Sequence, residues 1–131
     1  MTIWMLGLSV LILLFGGIAI DLWRALDLQR ELAAVADSAA VAAASGVDEE
    51  HYRSTGEVLL DPARASTFGQ SSLSNQDVNL TLGTVETAAD GSEVVVRVGA
   101  ELELGLLGLF VDQSEPLLIT TSASAEPLIV P

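Results

Sequence analysis

A chain of 131 residues with 18 acidic side chains, five arginines and no lysine has a formal net charge of −13, which repels nucleic acid and leaves no basic stripe to neutralise phosphates. It has no cysteine, which excludes disulfide staples, thiolate catalysis and thiolate metal sites. With 50% hydrophobic residues but only 5% aromatic, any core must be built from Leu, Val, Ile and Ala, and the length allows one modest domain beside a membrane or targeting segment.

The first element is apolar. From Met1 to Ile20 no side chain ionises, and at 1.5 Å per residue about 20 residues match a hydrocarbon layer of roughly 30 Å. Leu11, Leu14 and Phe15 fall inside this run, while Trp4 and Trp23 lie about 28 Å apart along a helix, one at each interface. The competing reading is a cleaved secretory signal that releases a soluble adhesin. Against it stand a start without a basic residue, an apolar run longer than a signal core, and an "AVA" well past its end.

The helical pattern continues beyond the span. Leu22, Ala25, Leu26, Gln29, Leu32, Ala33, Ala36, Ala40 and Ala43 recur at three- and four-residue steps, whereas Asp27, Arg30, Glu31 and Ser38 take the other side. Arg24 reaches Asp21 and Asp27 at three-residue spacing, a solvated arrangement worth a few tenths of a kcal/mol per pair. "ELAAVADSAAVAAASG" is dominated by the strongest helix former and stops at Ser45 and Gly46. The pieces predict one rod of about 43 residues and roughly 65 Å. Leu22, Leu26, Leu32, Ala33, Ala36, Ala40 and Ala43 form a packing seam whose alanine part is open to close approach either by the chain's own sheet or by another subunit.

Gly46 divides an N-terminal unit, 1–46, from a head, 47–131. The polar stretch that follows reads as a connector, and Asp48, Glu49, Glu50 and His51 read as a solvated acidic turn whose spacing fits no calcium loop. Asp61 before Pro62 is a helix start and predicts a short helix over 62–73. Alternating apolar residues then predict strands at about 77–86, 92–104 and 116–126, the first two joined by a turn at Asp90–Gly91. Between the last two, "LGLLGLFV" is too apolar for a free loop. Leu106, Leu107, Leu109 and Phe110 require a surface, be it the underside of the sheet, the membrane interface or a partner. The fold class is α+β: a long N-terminal helix that spans the membrane and continues as an extramembrane rod, a short helix, and a small antiparallel sheet of about three strands.

Catalysis needs a nucleophile with a base, a metal site or a nucleotide loop, and the sequence offers none of these. His51 is the single histidine, Ser71 and Ser72 have no base nearby, and Glu101 and Glu103 fall on one strand face that suits solvent. No cofactor, metal, nucleic acid or small-molecule substrate is implied.

The run "DLWRALDLQRELAAVADSAAVAAASG" after a membrane span, followed by "LELGLLGLF" and "LLITTSASAEP", resembles the TadE/TadG-like proteins of the tight-adherence (Tad, or Flp) pilus. The resemblance implies a minor pilin or pseudopilin, held in the bacterial cytoplasmic membrane by a single N-terminal helix. Its partners would be other pilus or pseudopilus subunits met through that helix, and its head would lie outside the cytoplasm. Arg24 and Arg30 follow the span and by charge counting favour the cytoplasmic side, so orientation rests on the family alone. A prepilin leader would bring a basic stretch and an early glutamate, whereas the first acid here is Asp21. An anchored envelope or secretion-apparatus scaffold outside the filament is the alternative.

Overall fold

The computed structural model describes residues 2–76, 78–102 and 117–127. Six elements follow one another: α1 (Thr2–Ala44), α2 (Glu49–Thr55), α3 (Pro62–Ser74), β1 (Leu82–Thr87), β2 (Val94–Leu102) and β3 (Leu117–Ala125). The strands form one antiparallel sheet in the order β1-β2-β3. Thr84 pairs with Arg97 in the first ladder and Thr121 with Val98 in the second, and β3 matches β2 along all nine residues. The class is α+β.

The helical rod runs without interruption through the apolar and alanine-rich segments, as their lack of proline allows. Its far part is the cover of the sheet. Leu32, Val35, Ala36, Ala39 and Ala40 are buried with Val96, Val98 and Ala100 of β2 and Leu73 of α3, while Leu28 and Ile119 flank this cluster. A second cluster joins Ala43 and Ala44 to Leu60, Ala65 and Val94, with Ala125 against it. The order of these contacts fixes the direction of the sheet. Val94 and Ala125 lie at the far end of the rod, Ala100 and Ile119 lie toward its apolar half, and β3 therefore runs the same way as α1.

Local chemistry closes the far end. The Gly46 carbonyl accepts from Asp61 N–H and the Leu59 carbonyl from Asp48 N–H, with an isolated bridge between Val47 and Leu60. A Cβ at Gly46 would meet the backbone of Ala65 at 2.6 Å, so the chain passes α3 there too closely for any side chain. At the β1–β2 turn, Gly91 has φ 71° and donates to the Ala88 carbonyl. The Ser92 hydroxyl and N–H donate to Asp90 Oδ1 at 2.6 and 3.1 Å and hold that carboxyl below its ordinary range. The folded-state value is lowered, so what this turn contributes is present at neutral pH and is lost as acid protonates Asp90.

Two expectations need correction. The stretch after Gly46 contains a second short helix, α2, where a solvated acidic turn was expected. Asp48 caps it by accepting from His51 N–H at 3.0 Å, Glu49 and Glu50 occupy its first turn, and Gly56 ends it at φ 76°. β1 begins at Leu82 and not near 77, because β2 ends its pairing with β1 at Gly99. Val78 and Leu80 alternate for burial against the core without joining the ladder. The helix from Pro62 extends to Ser74, and β2 and β3 each stop within two residues of their expected ends.

Ala40→Leu inserts bulk where the side chain is wholly buried against the chain's own sheet, and is expected to lower unfolding free energy by about 1–3 kcal/mol. Gly46→Ala should destabilise at least as much, because backbone must move. Urea unfolding of the detergent-solubilised full chain followed by circular dichroism measures both.

Candidate membrane and assembly surface

The rod has a bare half and a covered half. From Ile3 to Leu26 most of its large apolar side chains face outward, with Trp4 85% and Trp23 71% exposed, and among the described residues no side chain of its most apolar stretch is buried. Leu11 and Phe15 are exposed on this part and Leu14 is half-buried. Exposed apolar surface on this scale is stable only against lipid or other apolar helices. α1 is long and apolar enough to cross a membrane. Ser9, a polar side chain within the run, donates its hydroxyl to the Met5 carbonyl at 2.9 Å and is thereby satisfied within the helix.

The seam residues divide between two fates. Leu32, Ala36, Ala40 and Ala43 are buried under the head, together with Val35, Ala39 and Ala44, which share the same three- and four-residue steps. Leu22, Leu26 and Ala33 are exposed. A helix turns about 100° per residue, so Ala33 lies a quarter-turn or more from the line through Leu28, Leu32 and Ala36. The sequence pattern was wide enough to hold both lines, and only the docked sheet distinguishes them. Asp21 lies on the same line and is just 5% exposed. Leu106, Leu107, Leu109 and Phe110 lie outside the described residues.

Chemical clusters elsewhere are structural. Asp48, Glu49, Glu50, Arg53, Asp61 and Arg64 line one polar recess. There Asp48 and Asp61 cap helices, and Arg64 stands 3.9 Å from Glu49 and 4.0 Å from Asp61. Among the described residues no group of three or more His, Asp or Glu is arranged to hold a metal ion. Ser71 and Ser72 line a shallow groove of about 410 Å³ with Ala42, Ser45, Phe68, Asn75 and Gln76, a set without a base to activate a hydroxyl.

Residues 1–46, the whole rod, match the Tad family, described as Flp pilus-assembly TadE/G-like. The chain carries a TadE/G-like N-terminus. No curated protein and no solved structure matches it. The TadE/G-like segment ends at the Gly46 crossing beneath α3, so it takes in both the bare half of the helix and the half that covers the sheet. The family is one of pilus assembly and not of enzymes.

Placing a charge at the middle of the bare half tests its use. Leu11→Arg costs roughly 2.5–3.5 kcal/mol at the centre of a spanning helix. The variant is expected to shift from the carbonate-resistant membrane pellet toward the soluble or degraded fraction, whereas Ser71→Arg on the head should leave the distribution unchanged.

Proposed function

We propose that this protein is a minor pilin- or pseudopilin-like subunit of Tad (Flp) pilus assembly, anchored in the bacterial cytoplasmic membrane by a single pass of α1, with its head outside the cytoplasm. The observation that carries the reading is the continuity of α1: one TadE/G-like helix is bare and apolar over its first half and carries the head on its second. Such a helix anchors a subunit before assembly and offers an apolar surface to neighbouring helices afterwards. The exposed line of Leu22, Leu26 and Ala33, together with the span, is the surface for other pilus or pseudopilus subunits. Catalysis and cofactor binding have no place in this role.

A second reading has one specific observation in its favour. The alanine seam already packs on the chain's own sheet, so its closest-packing face is unavailable to a neighbour. That suits an anchored assembly or envelope scaffold that stays out of the filament.

The chain lacks cysteine, so Ser71→Cys, an exposed position on α3, introduces a unique thiol. Intact cells treated with a membrane-impermeant thiol reagent should yield labelled protein, and shearing should carry part of the label into the surface fraction. Label confined to membranes would select the scaffold reading. Absence of label until lysis would put the head in the cytoplasm and overturn both.

A further inference from the structure

We infer that Asn79 is an N-glycosylation site: its carboxamide nitrogen accepts an oligosaccharide from a polyprenyl diphosphate donor on the outer side of the cytoplasmic membrane. This rests on the head lying outside the cytoplasm. The sequence supplies the acceptor pattern. Asn79, Leu80 and Thr81 form Asn-x-Thr with no proline at the middle position. Asp77 places an acid two residues before the asparagine, which completes the five-residue form that bacterial oligosaccharyltransferases select. Asn75, the other asparagine, is followed by Gln76 and Asp77 and has no hydroxyl two residues on.

The fold presents this pattern as an acceptor requires. Asn79 is exposed and lies in irregular backbone between the end of α3 and the start of β1. Val78 and Leu80, one residue to either side, pack against the core, so the connection is pinned by its apolar residues and turns the asparagine outward. Thr81 is also exposed, and its N–H donates to the Gly99 carbonyl at 2.8 Å, which holds the backbone and leaves the side chain in solvent.

Neither polar side chain has a role within the fold. α3 already ends at Asn75, whose N–H donates to the Ser71 and Leu73 carbonyls, so Asn79 is not needed as a cap. Among the described residues the Asn79 carboxamide and the Thr81 hydroxyl have no hydrogen-bond partner. A bulky, hydrated glycan attached here projects into solvent without displacing a core residue. The transfer is a substitution at the anomeric carbon of the first sugar. The N–C1 bond forms as the C1–O bond to diphosphate breaks, the nitrogen gives up one proton to the transferase, and polyprenyl diphosphate leaves with the bonding pair.

The test uses the full chain purified from membranes of the bacterium that makes it. Mass spectrometry of tryptic peptide 65–97, which holds both asparagines, should show a glycan on Asn79. N79Q and T81A should lose the added mass completely, N75Q and T81S should keep it, and D77A should lower the occupied fraction, all with unchanged circular dichroism. An unmodified wild-type peptide, or an added mass that persists in N79Q, overturns the inference. S71C labelling of intact cells separates this failure from that of the functional reading: unmodified Asn79 with S71C labelled leaves the outward head standing, whereas no label until lysis puts the head on the wrong side of the membrane, and both fail.

Discussion

Close approach of α1 to the sheet is the constraint on which the rest of the molecule depends. The helix contributes Ala36, Ala39, Ala40, Ala43 and Ala44 to the contact, and the sheet contributes Val94, Val96 and Val98, all buried. Small residues on one side and β-branched residues on the other let the surfaces approach closely. An alanine buries little area alone, so the stabilisation comes from the valines, which the alanines allow to be covered completely. A bulkier helix would lift off the sheet and expose the head's core.

This contact also explains the placement of everything around it. The far end of the head is tied by backbone hydrogen bonds among Gly46, Asp48, Leu59, Leu60, Asp61 and Gly91, which hold the chain reversals there. Acidic side chains gather at this end as helix caps and first-turn residues, where the positive end of a helix favours them.

Much of this was legible in the sequence because it depends on local periodicity. The apolar run, the alanine repeat, the Asp61–Pro62 start and the Asp90–Gly91 reversal each specify their structure through nearest neighbours. α2 was equally legible in principle: Asp48 as cap, two glutamates behind it and Gly56 at the stop are the ordinary marks of a short helix, overlooked beside the polar composition. The division of the seam was not legible. Ala33 and Ala36 have the same side chain, and only the angular position of a sheet built from residues far along the chain tells them apart. Val78 and Leu80 mislead for a related reason, since alternation reports one-sided burial and not ladder pairing.

The uninterrupted helix has a mechanical consequence. Between Ile18 and Ala44 there is no glycine or proline, so no residue offers a ready swivel between the apolar half and the head. The rod therefore behaves as a drive shaft. Turning the embedded part about its long axis by one residue step, about 100°, swings the sheet through the same angle, and the compass bearing of the head is decided by whatever grips the helix below it.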